Sequence, residues 1–139
     1  MDRDQVAADL KSDEGWRPNV YEDHLGYKTI GFGFLVDDRK GDGMPEEIGE
    51  IWLNYEIDAF ERGLKLALSN WSRYPDQIQR ALLNMSYQMG IGGLLGFKNM
   101  LRHIDAGHYA YAAAEALNSR WAEQTPERAG RVAEWIADA

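Results

Sequence analysis

The clearest indication of the fold of this chain comes from the residues Tyr21-Glu22-Asp23-His24-Leu25-Gly26-Tyr27-Lys28-Thr29-Ile30-Gly31-Phe32-Gly33. This stretch predicts a β-hairpin, because two runs of strand-forming residues flank a short turn that contains Gly26. A three-residue loop would place Asp23 opposite Tyr27, with Thr29 on the same face of the ribbon. Asp23 and Thr29 would then be able to hold one water molecule between them.

A helix is predicted just before this hairpin, over residues 4–13, and Gly15 ends it. Its apolar positions share one side: Val6, Ala7 and Leu10. Glu14 therefore lies at the C-terminus of the helix. Because Glu14 is four residues past Leu10, we expect it to lie on the apolar side, half removed from water. Burial and the negative end of the helix dipole would both favour the protonated carboxyl group.

Two acids in different environments are what hydrolysis of a glycosidic bond requires. One carboxylic acid protonates the leaving oxygen, while a second group stabilises the sugar cation or activates a water on the opposite face. Glu14 suits the first role, and Asp23 with Thr29 suits the second. Either acid alone is more often a solubility or turn residue, but the combination is far more specific. It predicts a glycosidase site.

The spacing of Glu14, Asp23 and Thr29, with the motif Gly-Tyr-Lys-Thr-Ile-Gly-Phe-Gly, resembles the phage-type lysozymes of the T4 lysozyme family (glycoside hydrolase family 24). Three further stretches are similar in the same order: 84–90, 96–102 and 119–132. The resemblance implies an α+β fold in which a long helix joins a small β-hairpin lobe to a larger all-helical lobe, with a cleft between them. We expect a single catalytic domain. Its predicted parts are a β-lobe at about 15–44 and a helical lobe at about 1–14 and 60–139.

The activity that this resemblance implies is that of a muramidase or endolysin. Such an enzyme hydrolyses the β-1,4 bond between N-acetylmuramic acid and N-acetylglucosamine in bacterial peptidoglycan, with inversion at the anomeric carbon. By the same resemblance, Glu14 is the general acid, and Asp23 and Thr29 position and activate the attacking water. Arg128 would pair with Glu14 and support the site. The family's substrate-binding positions carry over at three residues: Leu35, Tyr87 and Gln88.

The chain departs from the family pattern at a few positions. Phe34 replaces a histidine that many relatives carry after the hairpin, and we expect it to pack as an apolar core residue. Met100 and Glu115 stand where relatives place small polar residues near the cleft, which leaves the sugar contacts there open.

A second hypothesis belongs to a different class of protein. The chain would then be a catalytically weak wall-binding domain, or a structural domain of a phage tail, with the same fold. The active muramidase is favoured because all three catalytic residue types are present.

Composition limits the other functions that the chain could have. Its 139 residues are 45% hydrophobic and 12% aromatic, enough to build one core. A net charge of −8, from 23 acidic and 15 basic residues, argues against a nucleic-acid partner. The three histidines fit no zinc motif, and there are no cysteines, so we expect neither metal nor cofactor. The expected partner is the glycan strand of peptidoglycan, bound by a monomer.

The N-terminus shows no secretion signal, and no apolar run approaches the ~18 residues of a membrane span, so stable membrane insertion is not expected. We expect synthesis in a host cytoplasm, and action on peptidoglycan after holin-type release or delivery in a virion.

A charged loop is predicted at 36–43, followed by a long helix from Pro45 to about Ser69. Further helices should begin near 75, 97, 108 and 125, with Thr125 as an N-cap and a core stripe on the first of them: Ile78, Ala81, Leu82, Met85 and Met89.

Overall fold

The computed structural model describes residues 2–36 and 43–139, so most of the loop predicted at 36–43 lies outside the described residues. The chain falls into two units, Met1–Asn54 and Tyr55–Ala139. Seven α-helices, three strands and one short 3-10 helix follow one another in the described residues: α1 (Arg3–Glu14), β1 (Arg17–Glu22), β2 (Lys28–Gly31), β3 (Phe34–Leu35), α2 (Glu46–Ala67), the 3-10 helix (Trp71–Arg73), α3 (Asp76–Leu95), α4 (Lys98–Asp105), α5 (Tyr109–Leu117), α6 (Arg120–Gln124) and α7 (Pro126–Ala137). A mostly helical chain with one small antiparallel sheet confirms the α+β, lysozyme-like class.

Capping residues determine where helix α1 begins and ends. The Asp2 side chain accepts hydrogen bonds from the backbone N–H groups of Asp4 and Gln5. At the other end Gly15 takes a φ of 69°, which a residue with a side chain rarely adopts, and its N–H donates to the Lys11 carbonyl. Glu14 is therefore the last residue of the helix, as predicted.

The sheet has the order β1-β2-β3, with antiparallel neighbours. Tyr21 lies opposite Thr29, and the N–H of Asp23 donates to the Tyr27 carbonyl at 2.8 Å, which continues that register into the turn. The predicted hairpin and its register are thus confirmed. The short strand β3 was not predicted; it places Leu35 opposite Thr29.

Phe34 does not pack in a core, and that prediction was wrong. Its side chain is 59% exposed. Phe34 lies opposite Ile30, and neighbouring residues of a strand point to opposite faces, so Phe34 is on the face away from the buried Thr29. It packs edge-on against Phe32 instead, with ring centroids 6.4 Å apart, and Phe32 in turn packs against Trp16.

The helical unit has one continuous core. Helix α3 supplies much of it through Ile78, Ala81, Leu82 and Met85, which are fully buried, while Met89 is partly buried beside them. The predicted core stripe is therefore confirmed. Other core residues come from every helix of this unit: Leu64, Trp71, Tyr74, Leu94, Met100, Ile104, Ala112, Ala113, Ala116, Trp121, Ala122, Ala129, Val132, Ala133 and Ile136. None of the described helices is both long and apolar enough to cross a membrane.

The helix starts predicted from proline and acidic residues agree with the structure to within one residue. Helix α6 was not predicted; the Ser119 side chain caps it by accepting from the Ala122 N–H. Thr125 does not cap α7 as expected, because its hydroxyl donates back to the Trp121 carbonyl at 3.0 Å. It closes α6, and Pro126 alone marks the start of α7.

Candidate active site

Glu14 lies against the turn between β2 and β3. A Cβ atom placed on Gly33 would be 2.5 Å from Oε2 and 2.7 Å from Cδ of Glu14, so the carboxyl group rests directly on the Gly33 backbone. The end of α1 and the second turn of the sheet therefore meet at this acid.

Glu14 is nevertheless exposed, so the prediction that it is half removed from water was wrong. The apolar side of α1 does not shield Glu14 from water, since Leu10, one turn earlier, is itself 53% exposed.

Asp23 closes the hairpin turn with its own side chain. Its Oδ1 accepts hydrogen bonds from the backbone N–H groups of Leu25 at 2.9 Å and Tyr27 at 2.8 Å. This is the local bonding that makes aspartate common in turns. Two bonds to one oxygen fix the plane of the half-buried carboxylate, and within the described part of the chain its hydrogen bonds fall on Oδ1.

Thr29 is joined to Asp23 through the peptide groups of Tyr27. The Thr29 hydroxyl donates to the Tyr27 carbonyl at 3.1 Å, and the same oxygen accepts the Asp23 N–H at 2.8 Å. Thr29 is 5% exposed, and the register sets its side chain on the same face as that of Asp23. The structure thus brings two of the three predicted catalytic side chains together on one face of the hairpin.

Leu35 belongs to the same sheet. It lies opposite Thr29, on the edge strand β3, and is 47% exposed. Its side chain therefore adds an apolar surface next to Thr29.

The other predicted site residues lie in the helical unit, each held by a specific neighbour. Tyr87 is exposed on α3, with its ring centroid 5.5 Å from that of Phe60. The next residue, Gln88, accepts a hydrogen bond at its Oε1 from the Trp121 indole at 2.9 Å. Trp121 was not predicted to support the site, because the spacing of residues along a sequence does not show which side chains meet across helices.

Arg128 donates two hydrogen bonds to one asparagine. Its Nε donates to the Asn84 side-chain oxygen at 2.9 Å, and its Nη2 donates to the Asn84 carbonyl at 3.0 Å. Two parallel donors make this a rigid attachment, since the guanidinium group is planar. Asn84 lies in a stretch that resembles the family, but its partnership with Arg128 was not predicted.

Met100 and Glu115, whose roles the sequence left open, line one pocket of about 430 Å³ in the helical unit. Met100 is 1% exposed and also belongs to the core, whereas Glu115 is half-buried. The remaining wall combines polar side chains, among them Lys98, Asn118 and Arg120, with the aromatic rings of Phe97 and Trp121. In the part of the chain that the structure describes, no group of three or more His, Cys, Asp or Glu side chains is arranged to hold a metal.

Known proteins are similar to this chain over most of its length. The model of the phage lysozyme family matches residues 11–134. The chain is 35% identical to probable T4-type lysozyme 1 of Dictyostelium discoideum, over 88% of each protein. It is 32% identical to the pre-baseplate central spike protein Gp5 of Enterobacteria phage T4, over 91% of this chain and 26% of that protein. It is 31% identical to the peptidoglycan hydrolase gp36 of Pseudomonas phage phiKMV, over 87% of this chain and 14% of that protein.

Proposed function

Since the chain belongs to the phage lysozyme family and is a glycoside hydrolase with lysozyme-like function, we propose that it cleaves peptidoglycan by an inverting mechanism. The bond cleaved is the β-1,4 bond between N-acetylmuramic acid and N-acetylglucosamine. The observation that carries the proposal is the set of hydrogen bonds made by the Tyr27 backbone. Its peptide groups bind both Asp23 and Thr29, on a hairpin that continues into the turn where the Glu14 carboxyl group rests.

In this mechanism Glu14 is the general acid. Its carboxyl group donates a proton to the glycosidic oxygen as the bond to the anomeric carbon breaks. The exposure of Glu14 leaves room for a polymer substrate to reach the proton.

Asp23 and Thr29 handle the attacking water. Because backbone N–H groups bind Oδ1 of Asp23, its Oδ2 is the oxygen that accepts a proton from the water. The Thr29 hydroxyl donates its own proton to the Tyr27 carbonyl, so its oxygen can accept the second hydrogen of the same water. Water held in this way attacks the face of the sugar opposite the leaving group, which inverts the anomeric carbon.

The remaining predicted residues have supporting roles. Leu35, Tyr87 and Gln88 bind the glycan, the first two through apolar and aromatic surface and Gln88 through its amide. Arg128 supports Glu14 as a charged partner, with Asn84 fixing its orientation. The pairing of Arg128 with Glu14 remains a prediction that rests on the family resemblance.

The proposed place of action is the bacterial cell wall, reached from a host cytoplasm by holin-type release or as part of a virion. The match to a central spike protein supports the second hypothesis, a catalytically weak wall-binding domain or a structural domain of a phage tail with the same fold.

A turbidity assay on chloroform-treated Gram-negative cells tests the proposal. We expect Glu14→Gln to abolish clearing and Asp13→Asn, which changes the neighbouring exposed acid, to leave it intact. Equal clearing by the parent and Glu14→Gln would rule out Glu14 as the acid. If neither protein clears the cells but both sediment with purified peptidoglycan, the wall-binding alternative is the better description.

A further inference from the structure

Position 33, occupied by Gly33, has no room for a side chain because Glu14 lies beside it. A Cβ atom on Gly33 would be 2.5 Å from Oε2, 2.7 Å from Cδ and 3.2 Å from Cγ of Glu14. Atoms that are not bonded to each other do not approach so closely, since carbon atoms in contact lie about 3.5–4.0 Å apart. The carboxyl group of Glu14 therefore occupies the volume that a side chain at position 33 would fill.

We propose that Gly33 is a positioning residue, and that its missing side chain forms the seat for the carboxyl group of the general acid. The inference rests on the proposed function of Glu14. A glutamate at an exposed helix end has three side-chain torsions and would otherwise distribute over several rotamers. Packing against the Gly33 backbone restricts these rotamers and holds the acid next to the hairpin that carries Asp23 and Thr29.

A side chain at position 33 would have two separate effects. The first is backbone strain, because Gly33 has a φ of 73°, in the left-handed region that favours glycine. The second is displacement of the Glu14 carboxyl group. That group is the free end of a flexible side chain, so it can swing away at little cost in stability, yet it then leaves the position from which it protonates the substrate.

Gly107 allows the two effects to be separated. It has the same φ of 73°, lies in the helical unit, and nothing lies within 4 Å of where its Cβ would be. Gly107→Ala therefore imposes the strain without touching Glu14, and it is the matched control for Gly33→Ala.

The experiment measures thermal unfolding, kcat and KM of both variants on soluble peptidoglycan fragments. We expect both variants to lose a similar amount of thermal stability. Gly33→Ala should lower kcat on the order of 100-fold, a loss that a misplacement of about 1 Å is able to cause, with KM little changed. Gly107→Ala should keep the kcat of the parent. An equal loss of kcat in both variants, or none in either, would overturn the proposal.

A spectroscopic measurement tests the seat without relying on turnover. The side-chain carboxyl ¹³C resonance of Glu14 is identified by its absence from Glu14→Gln. It should shift in Gly33→Ala and stay in place in Gly107→Ala. If Glu14→Gln proves as active as the parent, the proposed function fails, while this resonance still shows whether Gly33 seats the carboxyl group.

If Gly33→Ala does not fold, Gly33→Asn replaces it, with Gly107→Asn as control. Asparagine tolerates the left-handed region better than alanine and still brings a Cβ. An unchanged Glu14 resonance in a folded Gly33→Asn protein would contradict the seat.

Discussion

Oδ1 of Asp23 lies 2.8 Å from the backbone nitrogen of Tyr27 and accepts its hydrogen bond. The same oxygen also accepts from Leu25, so the side chain proposed to activate water also closes the turn. In the proposed mechanism the structural and catalytic demands on Asp23 therefore fall on different oxygens of one carboxylate, and substitutions can separate them.

Asp23→Asn should strongly reduce catalysis and preserve the fold. An asparagine retains an Oδ1 acceptor for both N–H groups, but its amide cannot take a proton from water. We expect kcat to fall by at least 100-fold, the lower range for a general base, with an unfolding midpoint close to that of the parent.

Asp23→Ala, in contrast, removes both hydrogen bonds and should also cost about 1–3 kcal/mol of stability. Chemical unfolding and initial rates, measured on all three proteins, check this pair of predictions. An active Asp23→Asn protein would remove Asp23 from its proposed role.

The stereochemistry of the product tests how the water is placed. If Asp23 and Thr29 hold the nucleophile, cleavage of the β-linked strand should first release the α-anomer at the new reducing end. Proton NMR during the first minutes of hydrolysis, before mutarotation, distinguishes the anomers. Initial release of the β-anomer would show retention, and Asp23 would then act as a nucleophile rather than as a base.

Arg128→Lys should impair the enzyme although it preserves the charge. Lysine cannot provide two donors in a fixed plane, so the attachment to Asn84 and the orientation toward an acid would both be lost. We expect a rate loss on the order of 10-fold, corresponding to about 1.4 kcal/mol. Arg131→Lys, a change at an exposed arginine one turn later, is the control. Equal rates in the two variants would show that the geometry of Arg128 is unimportant.

Tyr74 should make the stability of the protein fall at high pH. Its hydroxyl donates to Asp105 at 2.6 Å, and burial, followed by that carboxylate, raises the pKa of Tyr74 above its ordinary value. Because the pKa is higher in the folded state, the contribution is complete below about pH 10, the unfolded value, and is lost as the pH rises toward the folded value.

Urea unfolding of the parent and Tyr74→Phe, at about pH 8 and about pH 11, measures this effect. The variant should be less stable by about 1.5–3 kcal/mol at the lower pH, the usual contribution of a hydrogen bond to a charged group. The difference should shrink at the higher pH. A constant difference would mean that Tyr74 does not titrate in this range.

The parts of the structure that local sequence determines were predicted well. The turn at Asp23 and the end of α1 at Gly15 follow from short-range hydrogen bonding and backbone preference, and both are where the sequence predicts them. The same holds for α7, whose first turn begins with Pro126.

Features that depend on distant parts of the chain were predicted less well. The exposure of Glu14 and Phe34 depends on which surfaces cover them, and periodicity within one element carries no such information. The Asn84 and Trp121 partners of Arg128 and Gln88 lie 44 and 33 positions away, so only the packing of helices reveals them. The family resemblance predicted roles for Arg128 and Gln88 without showing which side chains bind them.

Tyr27 binds the side chains of Asp23 and Thr29 through its own main-chain N–H and carbonyl. Replacing its phenol by any other group leaves that N–H and carbonyl in place, so substitution of Tyr27 itself would not remove these bonds. An ester in place of the amide between Gly26 and Tyr27, introduced by chemical synthesis, would delete the donor to Asp23 without altering a side chain. Backbone editing is therefore the way to remove the Tyr27 donor while every side chain stays in place.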